Sequence, residues 1–573
     1  MKVSDFIVLF LANKGITDVF GYPGGMVTHL MDSFDKYSDR IKAHVNYHEQ
    51  ASSFCACGYA QTSNLPGVAY STSGPGATNL VTGIANAFFD SIPCIFLTGQ
   101  VNTYEGKGNL RVRQRGFQET DIVSIVKSIT KYAAQITDAE KVKYELEKAF
   151  YICMNNRPGP VLLDIPMNIL RADIQPESLQ GFQNYRETNI NYNSILDTLF
   201  EALKHSERPL IIAGAGIRTA GQKTVFNELV EKIRIPVVSS MIGVDCLPTC
   251  SPYYFGFIGA YGHRRANFLI AKSDCIVTIG SRLDSRQTGV NKDLFAQNAR
   301  ILRIDIDEGE VMNQVKENET VLICNIKELL SKIIDDKRSN NQNIFENWLV
   351  KCNKIKNSLE GLDIQYPNQL VKLISNYIPE DAIVTTDVGQ NQVWIAQSFN
   401  LKAKQKILFS GGHGAMGYSL PAAIGAYYAS RRPVICFVGD GGFQMNIQEL
   451  QYIVRENIPI KIILLNNHSL GMIRHFQEMY FDFKFTQTTT ESGYSVPDFC
   501  RITEAYGILS IRIDKMEECA KLKEIVSSEL PVFIDVNCGN QTYVYPKLAM
   551  NKPIHDQDPL IDRKLFNELI NGD

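Results

Sequence analysis

The stretch Val434-Ile-Cys-Phe-Val-Gly-Asp-Gly-Gly-Phe443 runs five apolar residues into a glycine-rich turn that carries one acid, Asp440. Continuous rather than alternating hydrophobicity belongs to a strand buried on both faces, hence to a parallel sheet covered by helices. The next such run, 461–465, ends in Asn466-Asn467. Asp440 and Asn467 therefore lie at the same ends of two strands of one sheet, where open α/β sheets bind their ligands. An acid and an amide oxygen there suit a hard cation such as Mg2+, which completes its shell with phosphate oxygens and water. Gly439, Gly441 and Gly442 let backbone N–H groups approach a phosphate, and the helix start expected near Asn446 adds a favourable dipole.

The same pattern recurs outward from this stretch. Strands are expected at 44–47, 68–72, 94–98, 161–165, 210–213, 237–240, 275–279, 301–306, 382–386, 434–438, 461–465 and 532–536, most of them followed by a helical pattern. Two polar zones, 168–193 and 335–368, the second with a helix inside it, divide the chain into units at 1–170, 190–335 and 365–573. At roughly 150 residues per domain, 573 residues allow three to four domains. The expected class is α/β, with three consecutive parallel-sheet domains. The N-terminus, with Phe6, Phe10 and Leu11 at helical spacing and Asp5 among them, reads as an amphipathic helix rather than a leader, followed by a turn and strand in GITDVFGYPGG. No apolar run reaches the roughly 18 residues needed to span a membrane.

Composition removes other classes. With 45% hydrophobic and 21% charged residues, the chain is neither disordered nor fibrous. Fifty-eight basic against 61 acidic side chains leave a net charge of -3, which provides no overall field for nucleic acid or an anionic membrane. Thirteen cysteines without a CxxC pair indicate neither a zinc ribbon nor a disulfide framework and fit a reducing, cytoplasmic setting.

GDG, 24 residues (442–465) and then NN is similar to the fingerprint of thiamine diphosphate (ThDP) enzymes. GDGGFQMNIQELQYIVRENIPIKIILLNN-x-x-x-GM resembles, over its length, the acetolactate synthase (acetohydroxyacid synthase) branch. The resemblance extends over nearly the whole chain. It implies ThDP and Mg2+ as cofactors, with Asp440, Asn467 and Ser469 on the metal. It also implies a Glu from another domain that hydrogen bonds N1' of the aminopyrimidine, so that acid–base catalysis is executed through the cofactor. Glu49 in HEQASSFCACGYAQ matches that position; taken alone, a Glu at a helix start is a dipole partner. Pro75 and Asn79 in GPGATN, and Phe117 and Gln118 in FQE, match further catalytic segments. In the third unit Val388, Gly389, Gln390 and Asn391 match the diphosphate side. Gly414 and Met416 match the loop whose Met props the bent cofactor, and Gly471 and Met472 follow the NN. In the family the glutamate and the metal site come from different subunits, which implies a homodimer or homotetramer with sites at the subunit interface.

Acetolactate synthases also hold FAD in the middle domain. The matching residues are Gly214, Ala215, Gly216, Gly259, Gly280, Arg282, Asp284 and Arg286, with Arg157, Asp305 and Gln392; the family often has Asp where Asn325 stands. Glycines admit a dinucleotide backbone and an arginine can pair with its pyrophosphate. The implied reaction decarboxylates a 2-oxo acid, pyruvate, and transfers the two-carbon hydroxyethyl unit to a second carbonyl, with FAD structural. Tyr22, Gly25, Met416, Met472 and Ile473 would line the substrate site, and Arg286 would hold the acceptor's carboxylate. Phe476 stands in place of the family's usual Trp, His413 in place of a Leu and Met167 in place of a Lys. Arg111, Arg113 and Arg115 form a basic run, most simply a solvated face. The tail, Tyr545-Pro-Lys-Leu-Ala-Met-Asn-Lys-Pro553 with Asp558-Pro-Leu560, looks like polysaccharide-locus enzymes such as the yersiniose-type branched-sugar synthase. That implies a nucleotide-linked keto-sugar as the alternative acceptor. A catalytically silent ThDP-binding regulatory subunit and an FAD-using oxidase are the remaining alternatives; the first predicts loss of Glu49 or of the metal pair, which are present.

Overall fold

The structure is a computed structural model that describes residues 1–183, 190–317, 319–340 and 344–572; part of the first polar zone lies outside the described residues. Three six-stranded sheets, each parallel throughout, follow one another along the chain. In space the first runs Lys42–Val45, Asp18–Gly21, Gly67–Ser71, Cys94–Gln100, Val161–Pro166, Tyr132–Gln135. The third repeats that order with Lys406–Leu408, Ile383–Thr386, Val434–Gly439, Lys461–Asn466, Val532–Asn537, Leu509–Ile513. The middle sheet differs: Tyr254–Phe257, Val237–Ser239, Pro209–Ala213, Cys275–Ile279, Arg300–Asp305, Thr320–Ile323. There the strand order reverses direction between Pro209–Ala213 and Cys275–Ile279, the arrangement that opens a dinucleotide crevice in doubly wound sheets.

The twelve expected strands all occur, though the first sits two residues earlier, at Lys42–Val45. The strand expected within GITDVFGYPGG is Asp18–Gly21. Five further strands, Tyr132–Gln135, Tyr254–Phe257, Thr320–Ile323, Lys406–Leu408 and Leu509–Ile513, escape the sequence pattern, and all five are sheet edges. An edge strand is covered less completely, so its sequence need not be apolar throughout; Leu509 is 61% exposed.

Two long helices bind the first and third domains into one core. Glu49–Ser63 and Ser419–Ser430 cross where a Cβ on Gly58 would lie 2.0 Å from Ala422 O and one on Gly425 1.9 Å from Cys55 O. Only bare backbone permits that approach. Beside it, the Glu449 carboxylate accepts from Tyr47 N (2.8 Å) and Asn46 Nδ2 (2.9 Å) across the domain boundary.

The tail departs from the expected domain limits. After the third sheet, Lys547–Leu548 pairs antiparallel with Gln557–Asp558, and helix Arg563–Asn571 packs on the middle domain through Phe566 and Leu569. Arg264 donates to Gln557 O and Pro559 O, and Lys272 to Ile570 O and Gly572 O. The helix inside the second polar zone, Glu346–Leu359, also belongs to the middle domain; Trp348 Nε1 donates to Pro209 O at 2.9 Å. Among the described residues no helix is long and apolar enough to cross a membrane.

Replacing Gly425 by Ala is expected to cost about 1–3 kcal/mol of stability by overpacking, read as a lower midpoint in thermal unfolding. Burial, the largest effect on Glu449, lifts its pKa to about 7, so between pH 8 and 6 the folded chain takes up a proton there while the unfolded chain does not. The group's contribution to stability therefore rises as pH falls through that window. Urea unfolding at pH 8, 7 and 6 should show that rise in the native chain and a flatter profile in Glu449→Gln.

Candidate functional sites

One cavity, of about 310 Å3, lies at the strand ends of the third sheet. Strand Ile383–Thr386 runs into Asp387-Val-Gly-Gln390 and its neighbour Val434–Gly439 into Asp440, so the cavity opens where the strand order reverses. Val388, Gly389, Gln390, Asn391, Gly414, Met416, Gly439, Asp440, Gly441, Gly442, Asn467, Ser469, Gly471 and Met472 all line it. The helix expected near Asn446 begins at Asp440 itself, with Gly439 as its N-cap. Gly441 and Gly442 thus form its first turn, where backbone N–H groups have no carbonyl partner within the helix; Gly441 N donates to Asp440 Oδ1 at 2.7 Å.

The two oxygens expected on a metal are held together. Ser469 N faces Asp440 Oδ2 at 3.1 Å and Asn467 Oδ1 at 3.4 Å. The Asn467 amide nitrogen is tied down by Gln390 Oε1 and Thr542 Oγ1, both at 2.9 Å, which leaves its oxygen for a ligand. Ser469 Oγ is buried without a hydrogen-bond partner. Burial, the largest effect, pushes Asp440 up to about 6, as expected of a carboxylate whose charge lacks a counterion. A hard cation relieves that cost, so this donor set fits Mg2+. No group of three or more His, Cys, Asp or Glu suited to a metal occurs among the described residues, and the set here has a single carboxylate.

Asp387 is a residue the motif reading missed. Fully buried, it accepts from Gly417 N (3.0 Å) and Ser419 N (2.9 Å), which fixes the loop carrying Met416. A Cβ on Gly442 would lie 2.5 Å from its Oδ1. The carboxylate is the brace between that loop and the Asp440 turn; its position at a strand end, one residue before Val388-Gly389-Gln390, was the available signal.

Glu49 stands elsewhere. It opens helix Glu49–Ser63 and is 8% exposed, with Oε2 accepting from Asn79 Nδ2 at 2.9 Å. Glu49, Pro75 and Asn79 share one face of the first domain, next to Gln118, whose Cβ would lie 2.9 Å from a Cβ on Gly74. Phe117 is 80% and Tyr22 41% exposed, and a Cβ on Gly25 would meet nothing within 4 Å. No residue of this face lines the Asp440 cavity. Arg111, Arg113 and Arg115 are exposed.

The second cavity, about 290 Å3, lies where the three domains meet, over the strand-order reversal of the middle sheet. Arg157, Ala215, Gly216, Gly280, Arg282, Asp284, Arg286 and Asp305 line it, and so does Asn325. A Cβ on Gly214 would lie 2.0 Å from Gly280 O, so these glycines bring two strand ends together and leave room above. Ser240 lines the cavity with a buried hydroxyl that has no partner. These features fit a dinucleotide such as FAD. Three expected contacts lie differently: Gly214 and Gly259 are outside the lining, and Gln392 lines the Asp440 cavity instead and donates to Ser410 O at 3.2 Å. Asp90, which the motif reading missed, lines the cavity and accepts from Gly411 N and Gly412 N across the domain boundary. His413 is exposed and stacks on Phe89, with centroids 5.6 Å apart.

Comparison with known proteins agrees with this architecture. The thiamine pyrophosphate enzyme N-terminal TPP binding domain matches residues 1–125, the central domain 196–333 and the C-terminal TPP binding domain 387–536. Thiamine pyrophosphate (TPP) is ThDP. The acetolactate synthase large subunit of Lactococcus lactis subsp. lactis is 36% identical, with 95% of this chain and 94% of that protein covered. The acetolactate synthase isozyme 2 large subunit of Escherichia coli K12 is 32% identical, over 95% and 97%. The probable acetolactate synthase large subunit of Methanocaldococcus jannaschii is 35% identical, over 94% and 92%.

Replacing Asp440 by Asn removes the uncompensated buried carboxylate. Without ligands the variant should unfold at or above the native temperature. Added Mg2+ with ThDP should raise the midpoint of the native chain and leave that of the variant unmoved, as read by differential scanning calorimetry.

Proposed function

Because the chain belongs to the thiamine pyrophosphate enzyme family, alongside the acetolactate synthase large subunits, we propose that it is a ThDP- and Mg2+-dependent carboligase that condenses two pyruvate anions. With one proton these give one acetolactate anion and CO2. The observation that carries this reading is the Asp440–Asn467 oxygen pair, set at a glycine-rich turn over a cavity that Met416 lines. ThDP, when bound, supplies the electron sink for the carbanion left by CO2 loss. The chain's own contributions follow from the positions above. Asp440, Asn467 and Ser469 would hold Mg2+, and Gly441 and Gly442, without side chains, would leave room for the diphosphate at the helix start. Met416 would support the cofactor from the cavity wall, and Met472 and Ile473 would exclude water. Glu49 holds the proton at N1' of the aminopyrimidine. Arg286, which lines both cavities, takes the acceptor's carboxylate, and FAD in the second cavity has a structural part, since carboligation involves no net redox.

Glu49 and Asp440 belong to one constellation in this proposal but to separate faces of one chain. The exposed aromatics Tyr22 and Phe117 beside Glu49 support a face covered by another copy, so that each site draws Glu49 from one chain and Asp440 from its partner in a homodimer or a larger even assembly. All thirteen cysteines are unpaired, which supports a reducing compartment, the cytoplasm.

Pyruvate supplied with ThDP, Mg2+ and FAD should yield CO2 and acetolactate or acetoin; absence of CO2 would refute the proposal. Glu49→Gln should fold normally and lose CO2 release. Co-produced Glu49→Gln and Asp440→Asn chains, each inactive alone, should recover about a quarter of native activity, since half of randomly paired dimers carry one intact site of two.

A further inference from the structure

Helix Gly471–Tyr480 begins at the wall of the Asp440 cavity, which Gly471, Met472 and Ile473 line. Phe476 lies one turn further on the same helix face, four residues past Met472 and three past Ile473, and is 42% exposed. Against it stands Lys547. Its ammonium lies 5.5 Å from the Phe476 ring centroid and 5.8 Å from that of Tyr480, and the residue is 6% exposed. Its contact is Met479 Sδ at 3.1 Å. Asp558, opposite it in the antiparallel pair, is the carboxylate that acts on it, though among the described residues no carboxylate oxygen comes within ion-pair distance. A buried ammonium without an oxygen partner is costly to keep, and burial holds its pKa below the ordinary lysine value.

The surroundings hold the tail that carries this cation. Arg474 donates to Thr542 O and pairs with Glu478. Tyr543 OH donates to the same Glu478, and His475 sits edge-on to Tyr543 and Tyr545. The tail is thereby pinned to the helix. Arg286 is close by along the backbone: its carbonyl accepts from Ala260 N (2.8 Å), and Ala260 O accepts from Leu548 N (2.7 Å). Tyr261 spans the gap, under the Arg286 guanidinium at 5.7 Å and with its hydroxyl 3.7 Å from Met472 Sδ.

We propose that Lys547 is an anion-binding residue of the acceptor subsite and selects a carbonyl acceptor that carries a phosphate group. This rests on the carboligase reading, with Arg286 on the end of the acceptor nearer the cavity, the acceptor's carbon skeleton over the Phe476 face, and the phosphate at Lys547. A compact ammonium suits a phosphate as a point charge, and the aromatic surround strengthens that attraction by excluding water.

The test compares D-glyceraldehyde 3-phosphate with D-glyceraldehyde as acceptors, with pyruvate as donor. The native chain should favour the phosphorylated acceptor in kcat/KM by about tenfold, the ratio one charged hydrogen bond supplies. Lys547→Met, or Lys547→Gln if Met folds poorly, should bring the ratio near one, and Lys547→Arg should preserve most of it. A native chain without the preference, or a Lys547→Met chain that retains it, overturns the proposal. Calorimetric titration of the full chain loaded with ThDP and Mg2+ reads the same subsite without turnover. There the Kd for D-glyceraldehyde 3-phosphate should rise about tenfold in Lys547→Met, and an unchanged Kd overturns the subsite. Should pyruvate release no CO2, the carboligase reading falls while this titration still judges Lys547. Titration with UDP distinguishes a nucleotide-linked phosphate from a sugar phosphate by which binds tighter. Either order supports the subsite when Lys547→Met weakens the tighter binding about tenfold, and an unchanged Kd for both probes overturns it.

Discussion

The contact on which the molecule depends is the crossing of helices Glu49–Ser63 and Ser419–Ser430, where Gly58 and Gly425 let each backbone reach the other's carbonyls. A side chain at either glycine would hold the helices apart and open the shared core, in which Phe54, Ala56, Ala422 and Ile424 are buried without residue. The crossing also sets the positions of functional groups. One helix starts with Glu49, and the other follows directly on the Met416 loop. Asp387 fixes that loop by accepting two backbone N–H groups from Gly417 and Ser419 and packs closely on Gly442 of the Asp440 turn. Backbone proximity in the core is thus converted, in two short steps, into the positions of Glu49 and of Met416 on the cavity wall.

Topology explains why the two cavities are where they are. The first and third sheets share one strand order, and the third opens its cavity at the reversal between Ile383–Thr386 and Val434–Gly439. The middle sheet has a different order and opens its own cavity at a different reversal, with Gly214, Gly216 and Gly280 packed at the strand ends. Divergent strands at a reversal leave a crevice that no side chain of the sheet fills. Arg286 lines both cavities, so the middle domain supplies part of the wall of the third domain's cavity.

Central strands were legible in the sequence because burial on both faces demands an unbroken apolar run, as in Val434–Val438. The five unread strands are edges, where one side of the ladder is open and the demand relaxes. The proximity of the Asp440 and Asn467 oxygens was legible because strand ends of one parallel sheet necessarily share a side. Asp387 and Asp90 were not, since each acts by accepting N–H groups from distant segments, Gly417 and Ser419 for one and Gly411 and Gly412 for the other. Gln392 lines the Asp440 cavity for a similar reason: on helix Gln390–Ser398 its side chain turns to Ser410, beside Gly411 on the wall of the other cavity, which no local spacing reports.

By itself the sequence determined the three α/β domains, their central strands, the glycine turns and the oxygen donors at 440 and 467, because each is a local consequence of hydrophobic period or of residue type at a strand end. Tertiary structure alone decided the rest. It separated Glu49 from the Asp440 cavity within one chain, returned the tail from 547 onward to the middle domain, and buried Lys547 against Phe476. These depend on long-range packing between segments far apart in sequence, where the free energy of burial is shared among domains and leaves no period in any one of them.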